Sequence, residues 1–94
     1  MSFSEVVVAD RRLMILRVLA ETAGYGANRA LIQAFLESGG HAVSTDRLDA
    51  DIAWLAEVDL VTLKDHAVLL TQRGGDVATG RTSVPGVRRL RPGE

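Results

Sequence analysis

Ninety-four residues make one domain with no room for a second, and a domain of this size needs every apolar helix face for its core. With 47% hydrophobic and 24% charged residues the composition excludes a disordered chain, and 4% aromatics leave an aliphatic core of Leu, Val, Ile and Ala. Zero cysteines exclude disulfides and thiolate metal sites, while a net charge of −1 hides an asymmetry: residues 1–80 hold seven basic and eleven acidic side chains, and 81–94 hold four arginines against Glu94.

Over residues 4–22, Val6, Ala9, Leu13, Leu16 and Ala20 recur three and four apart, the stripe of an amphipathic helix capped by Ser2 or Ser4 and ended by Gly24. Val7, Met14 and Val18 form a neighbouring apolar set, broken by Arg11, that reads either as a wide core face or as a homodimer contact. Tyr25-Gly26 is expected to turn. Asn28 then caps a second helix carrying Leu31, Ile32, Phe35 and Leu36, which Gly39-Gly40 stops. Ser44 caps a third helix, with Val43 as a staple on Leu48, and Leu48, Ile52 and Leu55 face inward.

From Leu60 the period becomes two: Val61 and Leu63, then Val68 and Leu70, flank a tight tip at Asp65-His66, which is a β-hairpin. Thr71 caps a short fourth helix that Gly74 and Gly75 weaken and that ends around Thr79-Gly80. The remainder, residues 81–94, holds both prolines and is expected to be a loosely held basic tail. The division is therefore a folded domain over 1–80 and a flexible tail over 81–94. No leader with a basic start, apolar run and cleavage site is visible, and apolar runs fall far short of the roughly 20 residues that cross a bilayer. A cytoplasmic rather than a membrane protein is expected.

The fold class is mainly α with a small hairpin, in the order helix, helix, helix, hairpin, helix. The wording from Val43-Ser44 through Trp54-Leu55, Asp59-Leu60-Val61 and Leu70-Thr71 to Gly74 resembles a winged helix-turn-helix. The fragments Ala9-Asp10-Arg11-Arg12-Leu13, Trp54-Leu55-Ala56-Glu57 and Val84-Pro85-Gly86-Val87 resemble, more narrowly, a small family encoded by Mu-like phages and prophages and often grouped with ArsR-like winged helices. In that superfamily the third helix is the recognition helix and Gly usually stands where this chain has Asp59, which must bend the chain itself.

The resemblance implies DNA, so the solvent face of the third helix is the place to look. With Leu48, Ile52 and Leu55 inward, helical geometry turns Asp46, Arg47, Ala50, Trp54 and Glu57 outward and leaves Asp49 and Asp51 at the flanks. The acids read either as helix-stabilising or as repelling phosphates. Arg47 reads either as a base or phosphate contact or as a partner of Asp51. Candidate nucleic-acid contacts are Thr45, Arg47, Lys64, Arg81, Arg88, Arg89 and Arg91; candidate protein contacts are Val7, Met14, Val18, Ala50 and Trp54. Trp54 reads either as an exposed interface anchor or as a ring folded against the hairpin or the returning tail.

Only His41 and His66, in different loops, are available to a metal, and Ser44 with His41 lacks an orienting acid and oxyanion donors. The glycines at 24, 26, 39, 40, 74 and 75 lack phosphate-loop spacing. Neither cofactor, metal nor catalysis is expected. Two functions remain: a winged-helix DNA-binding regulator or accessory factor of a Mu-like phage, dimeric and bound to duplex DNA, or a winged-helix adaptor that binds another protein.

Overall fold

A computed structural model describes residues 2–94. The first helix, α1 (Phe3–Glu21), is capped by Ser2, whose Oγ accepts the Glu5 amide at 3.2 Å. Its buried stripe is Ala9, Leu13 and Leu16, joined by Ile15 and Leu19. Residues 3–6 are all exposed, Val6 included, so the first turns of α1 project past the core. The helix ends at Thr22, in extended conformation with its hydroxyl donating to the Leu19 carbonyl, and Gly24 adopts a left-handed φ of 69° in the 3₁₀ turn Ala23–Tyr25 that follows.

Gly26, expected in a turn, instead opens a strand, β1 (Gly26–Asn28). Asn28 then caps α2 (Arg29–Ser38) by accepting the Leu31 amide at 2.8 Å. Ser44 caps α3 (Thr45–Glu57) by accepting the Arg47 amide. The hairpin strands are β2 (Val61–Lys64) and β3 (Ala67–Leu70), and Thr71 caps α4 (Gln72–Ala78). The sheet is antiparallel in the order β1-β3-β2, with Ala27 opposite Val68 and Leu63 opposite Val68 on the other side. This mainly helical fold with a small three-stranded sheet is compatible with a winged-helix arrangement.

Three helices end in the same way. After α2, the amide of Gly40 bonds to Glu37 and that of His41 to Leu36; after α4, Gly80 bonds to Val77 and Arg81 to Asp76; after α3, Asp59 bonds to Ala56 and Leu60 to Leu55. These paired bonds require a left-handed residue at the hinge. Glycine fills it twice, at φ 90° and 81°, whereas Asp59 is forced to φ 70°.

Leu13, Leu16, Leu19, Ile32, Leu36, Leu48, Leu55 and Leu60 form the centre of an aliphatic core, with α1 packed on α2, α4 and the sheet. The chain beyond α4 is docked rather than loose. Val84, Val87 and Leu90, three residues apart, pack against the core, Val87 being buried, and the Arg88 amide donates to the Ala9 carbonyl at 3.1 Å. The arginines and prolines of this segment obscured an apolar face that needs no regular secondary structure to bury itself.

Candidate interaction surface

On α3 the inward positions Leu48, Ile52 and Leu55 are buried as their spacing requires. Thr45, Asp46, Arg47, Asp49, Ala50, Ala53 and Glu57 are exposed. Asp49 receives both contacts of the Arg29 Nη1 atom, at 3.0 and 2.8 Å, which ties α2 to α3 across an exposed face. The outward face of α3 is thus mostly carboxylates and alanines, with Thr45 and one cation, Arg47, in its first turn.

Two residues depart from their expected positions. Asp51, read as a flanking partner of Arg47, is 2% exposed and accepts from Arg11 Nε at 2.5 Å and Arg12 Nε at 3.2 Å. Trp54, outward by helical spacing and read either as an interface anchor or as a ring folded against the hairpin or the returning tail, is half-buried against that tail: the Arg12 guanidinium lies 3.9 Å from its ring centroid, and a Cβ on Gly86 would come within 2.8 Å of its ring carbons. The cause is shared. Residues 51 and 54 lie on one stripe of α3, and that stripe meets α1 and the returning C-terminal segment rather than solvent. The Arg12 Nη1 atom also donates to the Gly86 carbonyl, so one guanidinium joins α1, α3 and the C-terminal segment. In the sequence Arg11 stands only as a break in an apolar set and Arg12 only as part of a family-like fragment, so neither is given a contact; the adjacent pair of arginines inside an apolar helix is the available signal.

Of the candidate basic contacts, Arg88 is committed within the molecule. Its guanidinium donates to Asp10 at 2.5 Å and to Glu94 at 2.8 Å, and Arg17 reaches Glu94 at 3.4 Å. His41 Nε2 lies 2.6 Å from the other oxygen of Asp10. Burial works to raise the Asp10 pKa, but hydrogen bonds from His41 and Arg88 carry it below its ordinary value. The Arg88 hydrogen bonds, and then the Arg91 amide, bring the Glu94 carboxyl from 4.5 down to about 2. Arg88 itself is raised, most by Glu94. Arg89, Arg91 and Lys64 are exposed, and Arg81 is exposed with Asp76 at 3.9 Å. Lys64 borders a hollow between the hairpin and the turn after α1, Arg47 one between α1 and α3, so these cations line no common cleft.

Among the candidate protein contacts, Val7, Met14 and Val18 are half-buried, and Met14 is packed against Gly39, the residue that caps the end of α2, where a Cβ would lie 2.6 Å from its sulfur. Larger exposed apolar groups lie elsewhere: Phe3 is 84% exposed, and Tyr25, Leu63, Val6, Leu31 and Phe35 are also open to solvent. Beside Phe3 a cleft of about 390 Å³ runs between the start of α1 and the start of α3, with Val7, Arg11, Val43, Ser44 and Arg47 among its lining. Among the described residues no three His, Asp or Glu side chains group to hold a metal ion, and no helix is long and apolar enough to cross a membrane.

The chain is 44% identical over 93 residues to the uncharacterized protein gp26 of Escherichia phage Mu, covering 95% of this chain and 96% of that protein. It is 40% identical over 99 aligned positions to an uncharacterized protein of Haemophilus influenzae, covering all of this chain and 95% of that one. No family model matches the chain. No solved structure matches it either.

Proposed function

Since the chain belongs to the family that includes phage Mu gp26, we propose that it serves a Mu-like phage or prophage as a non-catalytic winged-helix adaptor that binds another protein in the cytoplasm. The observation that carries this reading is the outward face of α3, where Asp46, Asp49 and Glu57 lie with Ala50 and Ala53 and a single cation of the helix, Arg47, while Asp49 already holds Arg29. A recognition helix in a major groove lies between two phosphate strands, and affinity for duplex DNA comes mainly from cations that replace counterions. Carboxylates on that face oppose the approach, and Arg88, one of the tail cations, is held by Asp10 and Glu94.

The second reading, a DNA-binding regulator or accessory factor, is favoured by the β1-β3-β2 sheet flanking α2 and α3, together with exposed Arg47 and Lys64. The two separate in one experiment. The chain is co-expressed pairwise with the other proteins of a Mu-like phage, and titrated by anisotropy against duplex DNA at low salt. A co-purifying partner without DNA binding at micromolar concentration is expected. Micromolar, salt-sensitive DNA binding without a protein partner overturns the adaptor. Homodimerisation through α1 is a separable expectation. Met14 is engaged by Gly39 of its own chain, which shrinks that face, so light scattering is expected to return the monomer mass.

A further inference from the structure

Where α1 crosses α3, two guanidiniums share one carboxylate. Arg12 completes its bonding with the Gly86 carbonyl and the Trp54 ring. Arg11 does not: its side chain is 8% exposed, its Nε is held by Asp51, and its Nη2 atom is buried with no acceptor within reach among the described residues. A buried guanidinium donor without a partner is costly and rare. The pair Arg11 and Arg12 against Asp51 also leaves one positive charge uncompensated at this crossing.

Arg11 lines the cleft between the start of α1 and the start of α3. Arg47, exposed and without a hydrogen-bonded side-chain partner among the described residues, lines the same cleft from the first turn of α3, next to Ser44. The amino end of this 13-residue helix adds its own partial positive charge there. The walls are apolar: Phe3, Val7 and Val43. A cationic floor between apolar walls suits an anion carried on an apolar frame.

We propose that this cleft docks a carboxylate borne by an apolar segment of a protein partner, with Arg47 and Arg11 facing the carboxylate and Phe3, Val7 and Val43 receiving the apolar side chains beside it. The choice of a protein as carrier rests on the adaptor reading above. A nucleic-acid backbone brings a phosphate at every step, and Glu5 beside the cleft and Asp46 in the first turn of α3 stand against such a run of charge, whereas a single carboxylate avoids them.

The test is a ¹⁵N chemical-shift titration of the full chain with a terminally blocked Leu-Glu-Leu peptide, its Leu-Gln-Leu counterpart and a short DNA duplex. The Glu peptide is expected to shift the amides of residues 44–47 and the Arg11 side chain at about 1 mM, at least about tenfold more tightly than the Gln peptide. Arg47→Gln, on an exposed side chain, is expected to weaken it about tenfold with the thermal midpoint unchanged. Equal binding of the two peptides, no shift at these residues, or the same shifts produced by DNA overturns the proposal. So do the same shifts on concentrating the protein alone, which make a second copy the occupant. A phage partner that co-purifies equally well with Arg47→Gln removes the cleft and leaves the adaptor. Glu-selective binding at the cleft with no co-purifying phage protein supports the cleft and removes the adaptor.

Discussion

Asp51→Ala is the sharpest probe of how the α1–α3 crossing is held. The carboxylate is 2% exposed and is shared by Arg11 and Arg12. Each charge pair at contact is worth about 4 kcal/mol at an effective dielectric of 20. Removing the carboxylate also removes its own desolvation penalty, which offsets part of that loss. What remains is dominated by the stranded Arg11 guanidinium, 8% exposed, and breaking a buried pair in this way costs about 3–5 kcal/mol. A domain of this size has roughly 5–15 kcal/mol in total, so the variant should sit near its unfolding threshold. Urea unfolding followed by fluorescence reads this directly, because Trp54 is the single tryptophan and lies under Arg12. Arg12→Ala, which leaves Asp51 paired with Arg11, should cost less than Asp51→Ala. A loss below about 1 kcal/mol for Asp51→Ala would refute the reasoning that Asp51 is the partner a largely buried Arg11 cannot lose cheaply.

Asp59→Gly should stabilise the protein by about 0.5 kcal/mol: relief of the left-handed strain and of an acid at a helix C-terminus outweighs the added freedom of the unfolded chain. The melting temperature should rise by about 2–4 °C, and a fall would show that the Asp59 carboxylate has a role of its own. Gly74→Ala should cost about 2 kcal/mol or more, because its Cβ would meet the Leu60 carbonyl oxygen at 2.0 Å, whereas Gly75→Ala, with only Leu70 at 3.7 Å, should gain about 0.5–1 kcal/mol. Denaturation curves that reverse this order would contradict the packing of α4. Acid should release the C-terminal segment. Asp10 and Glu94 are both depressed in the folded state, so the stabilisation they contribute is complete above their ordinary values of 3.8 and 4.5 and is lost as pH falls through the folded values, about 2 for Glu94. Hydrogen exchange at the Arg88 amide, bonded to Ala9, should accelerate beyond the intrinsic rate change across that window; protection that persists below it would mean that the apolar packing of Val84, Val87 and Leu90 and the Arg12 bond to Gly86 hold the segment without the ion pairs.

What could be read from the sequence was what is local. The caps at Ser2, Asn28, Ser44 and Thr71, the Asp65-His66 tip and the bend at Asp59 each depend on residues within a few positions, and each stands where its chemistry put it. The three-residue strand at Gly26–Asn28 is too short to show an alternation and exists only because β3 offers it an edge. The pairing of Arg11 with Asp51 spans 40 residues, so no helical spacing announces it. Trp54 stayed between two readings for the same reason: an α3 stripe that looks outward by the positions of Leu48, Ile52 and Leu55 is covered by α1 and by residue 86, and α3 itself does not say whether the returning segment reaches it. On the candidate surface, Arg47, Ala50 and the acids of α3 were legible, while the cationic floor beneath Phe3 was not.

Salt dependence separates the two functional readings without knowledge of the partner. If every exposed candidate cation met a phosphate, namely Arg47, Lys64, Arg81, Arg89 and Arg91, the logarithm of DNA affinity would fall with that of salt at a slope of about −4 to −5. These five do not lie together, since Arg47 borders the α1–α3 cleft, Lys64 sits on the hairpin, and Arg91 neighbours the Arg88–Glu94 pair on α1. A DNA complex of a single chain would therefore reach only a fraction of that slope, and would have to do so past Asp46, Asp49 and Glu57. A carboxylate docked between Arg11 and Arg47 is one charge in a partly apolar cleft, so its affinity should change little between low and physiological salt. Binding measured across that range with a slope steeper than about −3 would mean that the cations are gathered by an arrangement a single chain does not have, and would return the molecule to the DNA-binding reading.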